Sequence, residues 1–200
     1  MTEFHPDCLL EVEVPEPKTR VVTVNLARAG TFPSHVCYHT LNTLLDPELL
    51  RQDHILASRL TGDKDQVTGA HLGSAKIGGD IDGAVILFPY TTLFRSPDPM
   101  GATGSTLVSA VDYYKTSVGG TPRKIVALHF IVTPEYLKKV TATHPEMVIY
   151  ALRVDRGLSP KDVLLTTPGE HWDRERGLND KQYIVPGGGG FGEVMNNSWV

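Results

Sequence analysis

Hydrophobic and polar positions alternate along the chain in two kinds of run. RVVTVNLA (20–27), HILASRL (54–60), GAVILF (83–88), KIVALHFIV (124–132) and MVIYALRV (147–154) are nearly continuous apolar stretches of strand length, rich in β-branched residues. Between them the spacing turns helical. In HVCYHTLNTLL (35–45), Val36, Leu41, Leu44 and Leu45 share a face, and further on so do Leu107, Val108, Val111 and Tyr114. Thr133-Pro134-Glu135 is a helix start, with a hydroxyl cap, proline at the first helical position and an acid in the first turn. TGDKDQVTGAHLGSAKI (61–77) has turn chemistry and weak alternation, which predicts a flexible hairpin. Apolar strands alternating with helices predict an α/β fold with a central, mainly parallel sheet flanked by helices and covered on both faces. Such sheets bind ligands beyond the carboxyl ends of their strands. Arg28-Ala29-Gly30, residues 98–106 and Asp155-Arg156-Gly157 all fall at such ends.

Composition narrows the class. Two hundred residues suit a single domain spanning 1–200, with 1–20 a short N-terminal segment. A formal charge of −4 with no basic stripe argues against a nucleic-acid partner. No apolar run reaches membrane-spanning length, and the acidic N-terminus is unlike a signal peptide, so no membrane partner is expected and the cytoplasm is the expected location. Cys8 and Cys37 are too few and too far apart for a disulfide framework or metal site.

The stretch PDPMGATGSTL (97–107) carries the candidate chemistry. A helix N-terminus presents unpaired N–H groups and about half a positive charge, so it attracts phosphate. Ala102, Thr103, Gly104, Ser105 and Thr106 are small or hydroxylated and let the backbone approach an anion. The segment lacks the Gly-Lys-Ser/Thr ending of an ATP-type loop. A capped turn explains the same residues, and by itself the stretch leaves both readings open. Among the histidines, His129 in an apolar strand reads as a hydrogen-bonded core residue. His35 and His39 stand four apart on a helix with no third metal ligand evident. Residues 172–176, WDRER, read as a solvated loop with an anchoring tryptophan.

Four motifs in order resemble the uracil phosphoribosyltransferase family: VNLARAG, DPMGATGSTL, THPEMVIYALRVDRGL and GLNDKQYIVPGGGGFGE. The resemblance runs from about Val21 to Glu193. It implies a type I phosphoribosyltransferase-like fold with a C-terminal hood over the base, and transfer of a phosphoribosyl group from phosphoribosyl diphosphate to uracil, giving UMP and diphosphate. By this resemblance Ala102 to Thr106 grip the 5′-phosphate, and Asp98 contacts the ribose hydroxyls and steadies the cationic ring. Arg28, Ala29 and Gly30 form the diphosphate loop, and Arg59 reaches the diphosphate. Tyr183, Ile184, Gly187, Gly189 and Phe191 bind uracil. Mg²⁺ as cofactor and a homodimer or higher homo-oligomer are also implied.

Three departures qualify that expectation. Gly190 stands where the family's GD-x-GD pattern has its first aspartate, and Glu193 matches only the second. Only about twenty residues precede the VNLARAG loop, fewer than in the family. Tyr90 to Pro97, YTTLFRSP, has no counterpart in the family; with suitable codons LFPYTTLFRS spells the end of a common sequencing-library adapter, so a non-native insert is expected. Removing it runs IDGAVILFP directly into DPMGATG. Either GAVILF keeps its place and the insert bulges out, or TTLF displaces it. Gly190 also keeps a non-catalytic nucleotide-binding regulator in play, and base specificity stays open to another base.

Overall fold

The computed structural model describes residues 16–27, 30–61, 67–89 and 100–188, with backbone alone at 58–61 and 67–70. Strands β1 (Val21–Ala27), β2 (Leu50–Thr61), β3 (Val67–Lys76), β4 (Val85–Pro89), β5 (Met100–Gly101), β6 (Lys124–Val132) and β7 (Val148–Val154) form one sheet. Helices α1 (Thr31–Asn42), α2 (Ser105–Ser117), α3 (Pro134–Thr143) and the single turn α4 (Lys161–Leu164) accompany them. All pairings are parallel except β2 with β3, which form the expected hairpin. The predicted architecture, a mainly parallel sheet with flanking helices, is the one observed.

One face of the sheet is sealed by α2 and α3. Leu107, Ala110, Val111 and Tyr114 of α2 pack with Tyr136 and Val140 of α3 over Val24, Leu26, Ile86, Phe88, Ile125 and Ala127. These contributions, about 25 cal/mol per Å² of apolar surface buried, hold the layers together. One polar pin crosses the layer. The Tyr114 hydroxyl donates to Asp53 Oδ2 at 2.8 Å, and Asp53, fully buried on β2, is also paired with Arg51. Burial, followed by the Asp53 charge, holds the Tyr114 hydroxyl far above its ordinary pKa, so it stays a donor.

The other face carries α1, whose packing differs from the expected stripe. The helix ends at Asn42, so Leu44 and Leu45 lie beyond it. Leu45 is buried with Val21 and Leu50, and Tyr38 and Leu41 pack against them, while Val36 and Leu44 face solvent. The buried helical residue is Ser34, whose hydroxyl donates to the Val24 carbonyl at 3.2 Å. The sheet is also less covered than predicted at β7. Tyr150 is 61% and Leu152 is 82% exposed, because among the described residues β7 pairs only with β6 and no helix lies over its outer face. An apolar run records that a strand can be buried; it does not record which face receives a helix.

Strand register bears on the insert. Pro89 of β4 pairs with Leu128 of β6, and Met100 of β5 pairs with Ile131 of the same strand. Between those pairings β6 advances three residues and the other chain eleven, a surplus of eight. Eight is the length of Tyr90 to Pro97. GAVILF therefore keeps its place, and Met100 resumes the line that a continuous strand would follow. The insert itself lies outside the described residues.

Candidate active site

Three segments at the carboxyl ends of β5, β1 and β7 build the site. Residues 102–104 follow β5 directly, and Gly104 enters α2 with φ +77°, a left-handed conformation that favours glycine. α2 has no side-chain cap and no acid in its first turn. Ser105 N–H reaches Thr103 Oγ1 only at 3.5 Å, and the positive dipole end of the helix is left to attract an anion. Thr103 Oγ1 lies 3.4 Å from Ser105 Oγ. Small residues are also demanded from below: a Cβ on Gly101 would stand 2.8–2.9 Å from three atoms of the Tyr136 ring. Ala102 and Thr106 are buried, and the Ala102 carbonyl accepts a 2.6 Å hydrogen bond from Thr133 Oγ1.

The Tyr136 ring is fixed in turn. Its hydroxyl lies 2.5 Å from His129 Nε2. His129 is 5% exposed, and burial pushes its imidazole down to about 3, which keeps it neutral. It is the hydrogen-bonded core histidine that the sequence predicts, and it supports the anion loop through Tyr136.

At the end of β1, Gly30 opens α1 with its N–H donating to the Leu26 carbonyl at 2.9 Å, and a Cβ there would lie 2.5 Å from that same oxygen. Glycine is required by this close approach. Arg28 and Ala29 lie outside the described residues, as do Asp98, Gly189, Gly190, Phe191 and Glu193. Arg59 is placed on β2 with its Cα opposite Ala70.

The third segment is 177–187. Leu178 and Ile184 face each other across an antiparallel bridge, flanked by Asn179 N–H to the Tyr183 carbonyl at 3.0 Å and Val185 N–H to the Gly177 carbonyl at 2.8 Å. Val185 O also accepts from Gly157 N–H, and Tyr183 N–H donates to Asn179 Oδ1. Gly187 N–H donates to Asp155 Oδ2 at 2.8 Å and its carbonyl accepts from Arg153 at 3.2 Å. In such a bridge the N–H and C=O of the facing residues point outward. Ile184 is therefore the position that presents a donor and an acceptor together, with no hydrogen bond to either from the described residues. Tyr183, half exposed, stands beside it.

Two of these segments, 102–106 and 177–187, share a foundation. Thr133 Oγ1 caps α3 by accepting from Tyr136 N–H at 3.0 Å, as its sequence predicts, while bonding Ala102 of the anion loop. Two residues on, Glu135 accepts the N–H groups of Gly177 at 3.0 Å and Leu178 at 3.3 Å. Sequence reasoning missed this second role for Glu135, and it missed Lys139, whose Nζ donates to Ser105 Oγ at 2.7 Å. Neither has a local signal, since each partner is more than thirty residues away. The WDRER loop also needs correction at Glu175. It is fully buried rather than solvated, ion-paired with Arg156 at 3.0 Å and accepting from Gly169 N–H at 2.7 Å. A buried carboxylate needs such partners, and its cation lies nineteen residues back. Trp172 is exposed rather than sunk as an anchor, with Lys138 Nζ 5.5 Å from its ring centroid.

The site combines an anion-receptive helix terminus with an outward peptide edge. Residues 96–175 match the uracil phosphoribosyltransferase family model. The resemblance carried by the motifs thus holds over that stretch. A uracil phosphoribosyltransferase of Thermococcus sibiricus is 36% identical over 89 residues, covering 44% of this chain and 38% of that protein. One of Acinetobacter baylyi is 38% identical over 101 residues, covering 50% and 37%. The matched stretch thus spans well under half the length of these relatives. A structure of the AQ2163 protein from Aquifex aeolicus superposes with a TM-score of 0.59 at 25% identity, covering 96% of this chain and 77% of that one.

Among the described residues there is no cluster of three or more His, Cys, Asp or Glu that could hold a metal ion. His35 and His39 stack edge to face, with ring centroids 4.3 Å apart. No described helix is long and apolar enough to cross a membrane.

Proposed function

We propose that this phosphoribosyltransferase-family chain joins uracil to the sugar of phosphoribosyl diphosphate, releasing diphosphate and forming UMP. The observation that carries this reading is the outward donor–acceptor edge of Ile184, tied through Glu135 and Thr133 to the anion loop. A flat base with neighbouring amide N–H and carbonyl groups is the natural complement of a peptide edge. In the reaction the anomeric carbon loses its bond to diphosphate oxygen and gains one to a ring nitrogen, which gives up its proton to water. The helix terminus at Ser105 holds the 5′-phosphate, Asp98 steadies the positive charge on the ring, and Arg28 and Arg59 receive the diphosphate. Rate comes from alignment and electrostatics, with no covalent enzyme intermediate.

The described residues do not form a metal cage. Mg²⁺ would be drawn by the charge of the substrate's diphosphate and would neutralise the leaving group. Gly190 favours a second reading, a regulator that binds phosphoribosyl diphosphate without turnover. One experiment separates them. Purified protein is incubated with uracil, phosphoribosyl diphosphate and Mg²⁺, and UMP is quantified. UMP formation supports the transferase. Ribose 5-phosphate binding without UMP supports the regulator, and turnover only with adenine, hypoxanthine or orotate reassigns the base.

A further inference from the structure

We infer that Arg153 and Asp155 are a positioning pair that sets the base edge of Ile184 by clamping Gly187. The inference rests on the reading of Ile184 as the base-facing position. Asp155 ends the run out of β7, is 2% exposed, and donates its own N–H to the Val132 carbonyl at 2.8 Å, so its place is set by the sheet. Its Oδ1 lies 2.5 Å from Arg153 Nε, and its Oδ2 accepts from Arg153 at 3.0 Å and from Gly187 N–H at 2.8 Å. The same arginine donates to the Gly187 carbonyl at 3.2 Å. One ion pair therefore holds both peptide groups of a single glycine.

The position of that glycine matters because of what lies beneath it. Gly187 has φ +69°, and a Cβ there would stand 2.8 Å from the Ile184 carbonyl oxygen. The turn folds directly against the acceptor half of the Ile184 edge. Whatever holds Gly187 in place fixes the wall beside that oxygen and with it the direction from which a partner can approach. Arginine suits the task because its planar fork reaches a carboxylate and a carbonyl at once, which an ammonium on a flexible stem does not do with fixed geometry. Neither residue contacts the base in this arrangement; both act through Gly187.

The test uses the full chain and two separate titrations, uracil in the presence of diphosphate, and ribose 5-phosphate alone, on the parent protein and on Arg153→Ala, Arg153→Lys and Asp155→Asn. Arg153→Lys is the safeguard against misfolding, since it keeps a cation beside the buried Asp155 carboxylate at a side chain that is half exposed. Arg153→Ala and Asp155→Asn should weaken uracil about tenfold while ribose 5-phosphate stays within about twofold, because a displaced positioning group acts on one subsite alone. In steady state the KM for uracil rises while kcat and the KM for phosphoribosyl diphosphate hold. Arg153→Lys should recover only part of the loss. Equal losses for both ligands, or unchanged uracil binding in Arg153→Ala, overturn the clamp alone. A parent protein that binds ribose 5-phosphate and no uracil overturns the base reading and the clamp with it.

Discussion

Lys139 Nζ lies 2.7 Å from Ser105 Oγ, so a cation carried by α3 stands over the first residue of α2. The anion loop contains no lysine of its own, and its neighbour supplies one. Lys139 is exposed, so its field is screened by salt. Lys139→Met is expected to weaken ribose 5-phosphate about fivefold at low salt, the scale of a charge near a helix terminus, with the difference shrinking as salt is added. Lys139→Arg should bind as the parent does. Calorimetric titration at two ionic strengths checks this, and equal affinities for the parent and Lys139→Met at low salt would remove the residue from the site.

Gly101 and Tyr136 are packed with no room for a methyl group. The ring cannot swing aside, because it is fully buried and its hydroxyl is held by His129. Gly101→Ala should cost about 1–3 kcal/mol by overpacking. Combining it with Tyr136→Leu should return part of that loss, giving a coupling energy in a double-mutant cycle measured by urea denaturation. Simple additivity would mean the loop relaxes without touching the ring.

The surplus of eight residues between β4 and β5 makes deletion of Tyr90 to Pro97 a direct experiment. The shortened chain passes from Pro89 to Met100 in register with β6. Closing a shorter loop should stabilise the fold by on the order of 1 kcal/mol, read as a higher Tm in thermal melting. A deletion variant that fails to melt cooperatively would show that the eight residues are integral.

His129 gives the fold a pH dependence of known sign. Its folded-state pKa is about 3, depressed by burial below the ordinary 6.5. The unfolded chain therefore binds a proton that the folded chain refuses anywhere between those values. Stability from this group is complete above about pH 6.5 and is lost as pH falls toward 3, by at most about 1.4 kcal/mol per pH unit. His129→Leu should flatten the dependence of unfolding free energy on pH between about 6 and 4. An unchanged slope would assign the proton uptake to other groups.

What the sequence made legible was local. The Thr133-Pro134-Glu135 start is readable because a cap, a fixed φ and a first-turn acid act within three residues, and the helix begins at Pro134. KIVALHFIV reads as a strand because its apolar run is long enough to cross the sheet, and β6 has the predicted bounds. What stayed hidden was non-local. Asp155 meets Gly187 thirty-two positions later, Arg156 meets Glu175 nineteen later, and Ser105 meets Lys139 thirty-four later. No periodicity encodes such meetings; the sheet creates them by bringing strand ends together. The exposure of Tyr150 and Leu152 was hidden for the same reason, since coverage depends on where helices settle.

The short turn from Thr133 to Glu135 underlies both loops of the candidate site, one bonded to its hydroxyl and the other to its carboxylate. The helix-terminus loop and the Ile184 edge are thus measured against a common datum, as two jaws are by a single hinge pin. A shift of that pin would change the gap between the jaws without altering either of their surfaces, so this fold could retune the spacing of its two loops by substitutions that lie in neither.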